Sequence, residues 1–127
     1  MDSVLVATSH EVTLSAVGTS LATQEVGVEI RTAPSGEQYL LCRLADGTTC
    51  EVSIEAPQSA AIEELEEEDG ERLRSLAPAC VLLLAFRRKS AREVHALVLS
   101  TDWGEPAWFL PCDGAGTATR VSEADSF

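Results

Sequence analysis

The residues that could do chemistry are few and scattered. Two histidines, His10 and His95, and four cysteines, Cys42, Cys50, Cys80 and Cys112, are the candidate metal ligands of nitrogen and sulfur type. A zinc site draws such residues together at short spacings such as Cys-x-x-Cys, so that three or four converge on one ion. No pair here has that spacing, and no metal is expected. All four cysteines lie in apolar, strand-like runs, where a thiol behaves as a small hydrophobe. Nucleophilic and phosphate-binding motifs are equally missing: there is no Gly-x-Ser-x-Gly, no P-loop and no Gly-x-Gly-x-x-Gly. His10 falls in a turn, and His95 falls in an apolar run where a satisfied core histidine is the simpler account. The expectation is a protein with no catalytic residue and no cofactor.

Charge offers more. The chain has 127 residues, with 9 Lys+Arg against 21 Asp+Glu and a net charge of −12. That balance opposes general binding to nucleic acid or anionic membranes, whose affinity comes from neutralised phosphate. The excess is uneven. Glu63, Glu64, Glu66, Glu67, Glu68 and Asp69 crowd one segment. They read either as a docking surface for a basic partner, or as a solvated helix face favoured near a helix N-terminus. The Asp-x-Asp-x-Asp-Gly pattern of a calcium loop is lacking. Arg87, Arg88, Lys89 and Arg92 form the one basic cluster. It reads as a local anionic contact, or as charges that keep two apolar strands from aggregating. Ser90 follows Arg-Arg-Lys, as an acceptor for a basophilic kinase would. The aromatics Trp103, Trp108 and Phe109 gather near the C-terminal end, either as anchors for a partner or as the core of a last strand.

These residues must be positioned by a mostly two-periodic chain. Val4 and Val6 start one strand; Val12, Leu14 and Ala16 alternate with polar residues in a second; Val26, Val28 and Ile30 do so in a third. Gln38–Leu44 and Thr48–Glu55 form a hairpin around Ala45-Asp46-Gly47. A three-residue loop closed by a left-handed Gly47 sets Cys42 opposite Cys50 and Leu40 opposite Val52, gathering the apolar residues on one face. From Ser59, a reasonable N-cap, the text turns helical as far as Leu76. Ile62, Leu65, Asp69, Leu73 and Leu76 share a stripe, and a break is expected at Asp69-Gly70. Ala79–Phe86 and Arg92–Thr101 read as central strands joined through Arg87–Ala91, and Ala107–Leu110 as the last strand. No heptad run is present.

The start, Met1-Asp2-Ser3-Val4, has an acid where a secretory leader is positive. The longest apolar run, Ala79–Phe86, is far short of the ~20 residues of a membrane-spanning helix. An intracellular protein, cytoplasmic or nuclear and without a membrane partner, is expected, with free thiols.

The order strand, strand, strand, hairpin, helical pair, hairpin, strand is similar to the globular heads of a superfamily of dimeric scaffold proteins. That superfamily includes the non-homologous end-joining scaffolds and the centriolar cartwheel protein. The matching text is Leu44-Ala45-Asp46-Gly47-Thr48, the strand Glu51–Ile54, the helical pair Ser59–Leu76 and the hairpin Cys80–Leu99, within a span from Val4 to Leu110. The resemblance implies a β-sandwich interrupted by a helix-turn-helix, and a dimeric scaffold. The coiled coil that follows those heads is missing here.

The expected architecture is α+β: an antiparallel, sandwich- or barrel-like sheet with a helical segment inserted at about residues 58–77. Residues 1–112 form one domain, and 113–127 a flexible tail. The expected function is a non-enzymatic interaction or self-assembly module, homodimeric or bound to another protein. The alternative is an acidic chaperone for histones or other basic proteins. Nucleic acid would enter only locally, through Arg87–Arg92.

Overall fold

The computed structural model describes residues 2–22, 27–55, 64–104, 106–111 and 117–121. In chain order these form β1 (Asp2–Thr8), α1 (Leu14–Ala22), β2 (Gly27–Thr32), β3 (Gln38–Arg43), β4 (Thr49–Glu55) and α2 (Glu67–Leu76). Then come β5 (Cys80–Phe86), a 3-10 turn (Arg88–Ser90), α3 (Ala91–Ser100), β6 (Ala107–Leu110) and β7 (Thr119–Arg120). The strands make one antiparallel sheet in the order β2-β3-β4-β5-β1-β6-β7. The fold is α+β.

The sheet is covered on both faces by helices. On one face Val4, Val6, Cys42, Val52, Leu82 and Phe109 pack with Val17 and Leu21 of α1 and with Val94 and Val98 of α3. On the other, Leu5, Ala7, Val81 and Leu110 meet Leu73 of α2. This explains why β1 and β5 are apolar at successive positions: a strand covered on both faces loses its alternation. None of the helices among the described residues is long and apolar enough to cross a membrane.

The β3–β4 hairpin has the register expected of a three-residue loop. Cys42 faces Cys50, Leu40 faces Val52, and Gly47 takes the left-handed conformation at φ +85°. The bonds Leu44 N to Thr48 O at 2.8 Å and Gly47 N to Leu44 O at 3.0 Å close it. Cys42, Cys50 and Cys80 are free and buried, and Cys112 lies outside the described residues.

Two expected strands are helices. Residues 12–16 alternate as a strand would, but Thr13 caps a helix there: its Oγ1 accepts the Ala16 N–H at 3.1 Å. Leu14, Val17 and Leu21 are three and four residues apart, the spacing of one helix face. The run Arg92–Thr101 is helix α3, because Val94, Leu97 and Val98 have that spacing too and dock onto the sheet. Short runs apolar on both faces fit either period, and here the sheet surface selects the helix. Arg87–Ala91 therefore joins a strand to a helix, and the Cys80–Leu99 stretch that carried part of the scaffold-head likeness is strand and helix.

Helix α2 passes through Gly70 without the break expected at Asp69-Gly70; Gly70 N donates to Glu66 O at 2.8 Å. The turn falls earlier, at residues 64–66. Glu67, Glu68 and Asp69 occupy the first turn, where carboxylates meet the positive end of the helix dipole. Residues 59–63, expected to begin the helix, lie outside the described residues. Past residue 112 the chain returns to the sheet as β7, with Thr119 opposite Phe109 and Arg120 opposite Trp108.

Candidate functional site

Among the described residues no group of three or more His, Cys, Asp or Glu could hold a metal. His95 lies on α3, half-buried, edge-on to Phe109 at 5.4 Å and to Phe86 at 6.4 Å between ring centres. Burial lowers its pKa, which favours the neutral ring. It is a packing histidine on a helix, not in the strand expected.

A groove of about 380 Å³ runs between the start of α1 and the loop after α3. His10, Thr13, Ser20, Asp102, Trp103 and Gly104 line it. Several polar side chains at or beside it bond to the backbone. Thr8 Oγ1 donates to His10 O at 2.6 Å, Asp102 Oδ1 accepts Gly104 N–H at 2.9 Å, and the Trp103 indole donates to Val98 O at 2.8 Å. These contacts shape the loop and form no nucleophile–base pair.

The aromatic candidates divide. Trp103 is 5% and Phe109 2% exposed, so both belong to the core; Trp108 is half-buried. The basic candidates Arg87, Arg88, Lys89 and Arg92 are all exposed around the start of α3. Arg88 Nε reaches Asp2 Oδ2 at 3.2 Å. Ser90, expected as a phosphate acceptor, is fully buried and donates to Asp46 Oδ2 at 2.9 Å. Of the acidic candidates, Glu64, Glu66, Glu67 and Glu68 are exposed, Asp69 is buried on the inner stripe of α2, and Glu63 lies outside the described residues.

The sheet edges provide the surface that inspection of the sequence missed. At one end β7 contributes two residues. At the other, β2 offers six, paired to β3 without a bulge and with no Pro or Lys. Ala33 N–H donates to Glu37 O at 2.8 Å, closing the β2–β3 turn. Bonded and non-bonded pairs alternate from there, so Arg31–Tyr39 and Glu29–Leu41 exchange backbone bonds. The N–H and C=O of Val28, Ile30 and Thr32 consequently face outward, and no described strand pairs with them. Ile30 is 48% exposed, and Glu29 and Arg31 flank it on the opposite face of the sheet, joined at 3.1 Å. The opposite signs of Glu29 and Arg31 are visible in the sequence; the edge position is not.

No protein-family model matches the chain, and neither a curated protein nor a solved structure matches it.

Proposed function

We propose that this domain is a non-enzymatic protein-interaction module that self-associates, a unit of assembly of the scaffold type. One observation carries the reading: the β2 edge, which no described strand pairs, with outward backbone groups at Val28, Ile30 and Thr32 and an exposed Ile30 among them. Soluble proteins usually blunt such an edge with proline, charged side chains, a bulge or a short strand, because it templates pairing with another chain. β7 is short in that way; β2 carries two charges, but Glu29 and Arg31 are of opposite sign and can complement a second strand, and no described strand pairs with its edge.

The test is sedimentation velocity over about a hundredfold range of concentration, at low salt and above about 0.3 M, where screening becomes short-ranged. The expected result is a concentration-dependent oligomer that persists at the higher salt. A monomer throughout overturns the reading.

The exposed carboxylates Glu64, Glu66, Glu67 and Glu68 favour a second reading, an acidic chaperone for histones or other basic proteins. That reading expects a polybasic peptide to bind at low salt and to be released above about 0.3 M. Arg87, Arg88, Lys89 and Arg92 supply the opposite charge for a local contact with an acidic or phosphate group.

A further inference from the structure

We infer that the occupant of the β2 edge is β2 of a second copy, paired antiparallel about a two-fold axis through Ile30. This rests on the self-association proposed above and specifies its surface and register.

The strand is its own complement. Centring the pairing on Ile30 places Ile30 opposite Ile30, Val28 opposite Thr32, and Glu29 opposite Arg31 of the other copy. The outward backbone groups are those of Val28, Ile30 and Thr32, so each of these positions becomes a hydrogen-bonded pair that exchanges both bonds. Glu29 and Arg31 then fall at the intervening non-bonded pairs, where facing side chains come closest. Each copy already holds Arg31 Nη2 at 3.1 Å from Glu29 Oε2. Pairing the copies joins the two ion pairs into a ring in which every neighbour has the opposite sign. On the other face the two Ile30 side chains, each 48% exposed in the single chain, cover one another.

Register is what makes the match specific. A slip of one residue turns the side chains to the opposite face and brings the inward backbone groups to the edge, where they are already bonded to β3. A slip of two residues sets Glu29 opposite Glu29 or Arg31 opposite Arg31, and like charges directly opposite are destabilising. Charge thus disfavours the two neighbouring registers that backbone geometry would allow. The result is one continuous antiparallel sheet across both copies, an isologous contact that closes at the dimer.

The experiment compares the wild-type chain with Glu29→Arg, Arg31→Glu and the double variant E29R/R31E by sedimentation equilibrium, with circular dichroism to confirm folding. Both changed positions lie on an exposed edge. The inference expects each single variant to weaken the dimer about tenfold or more, through two like-charge contacts, and the double variant to restore it. Amide exchange at Val28, Ile30 and Thr32 is expected to slow as concentration rises. An oligomer that forms with single variants as strong as wild type, or without protection of those amides, overturns this register while leaving self-association intact. A wild-type chain that remains monomeric overturns both.

Discussion

Ser90 and Asp46 join two parts of the chain that are far apart in sequence. The fully buried Ser90 hydroxyl, at the start of α3, donates to Asp46 Oδ2 at 2.9 Å in the β3–β4 turn. Asp46 Oδ1 accepts the Thr48 N–H at 2.9 Å, and the Thr48 hydroxyl meets both Asp46 and Ser90. The turn that sets the hairpin register is therefore also the seat of the helix.

Acid should loosen this junction. The Thr48 hydroxyl and then the Thr48 N–H hold the Asp46 carboxyl below its ordinary 3.8, with smaller help from Ser90 and Lys89. A depressed carboxylate contributes stability above its unfolded value and loses it as pH falls through the folded one. As pH falls from 3.8 through the lower folded value, wild type should therefore converge with Asp46→Asn in denaturation midpoint, while above 3.8 wild type is the more stable. Urea titrations at a series of pH values check this.

The same geometry closes Ser90 to kinases. A basophilic kinase should phosphorylate Ser90 in a peptide spanning Arg87–Arg92 but not in the folded chain. Equal incorporation into both, read by mass spectrometry, would contradict the burial of this hydroxyl.

The facing thiols make an alkaline prediction. Burial raises Cys42 to about 11 and Cys50 to about 12, Cys50 also by the neighbouring Cys42 and Glu51. Raised values mean that stability is fully present below the ordinary 9.0 and is lost as pH rises towards 11 and 12. At pH 8, maleimide should label Cys42 and Cys50 slowly in the native chain and rapidly in denaturant. Rapid native labelling would refute their burial.

Leu73 is 2% exposed and ties α2 to the second face of the sheet. Leu73→Ala should cost about 3 kcal/mol of stability by removing side-chain volume from a packed core. Leu76, half-buried at the rim, should cost clearly less. Chemical denaturation of the two variants gives the comparison.

Gly104 has φ +80°, and a Cβ there would run into Nε2 of His10. The imidazole is the mobile end of a side chain and can swing aside, so the backbone conformation sets most of the penalty. Gly104→Ala should cost about 1 kcal/mol, of which His10→Ala recovers only a small part. Full recovery in the double variant would assign the penalty to the ring contact instead.

Much of this chain was decided locally. The Asp46-Gly47 turn and the two-residue spacing of Leu40, Cys42, Cys50 and Val52 were enough to set the β3–β4 register, since any slip would bury the charged face. The buried thiols followed from the same pattern, and the unbroken apolar run of β5 announced a covered strand. Residues 12–16 and 92–101 read as strands at that level, and the fold makes helices of both segments, 14–22 and 91–100. Their short apolar runs satisfy both periods, and only a sheet surface on which Val17, Leu21, Val94 and Val98 could dock chose the helix. Burial of Trp103 and Phe109, seclusion of Ser90 and the return of β7 to the sheet likewise depend on contacts between distant segments. So does the candidate interface. Glu29, Ile30 and Arg31 spell an ordinary amphipathic strand, and it is the order of strands in the sheet that leaves β2 at the end with its backbone groups facing out.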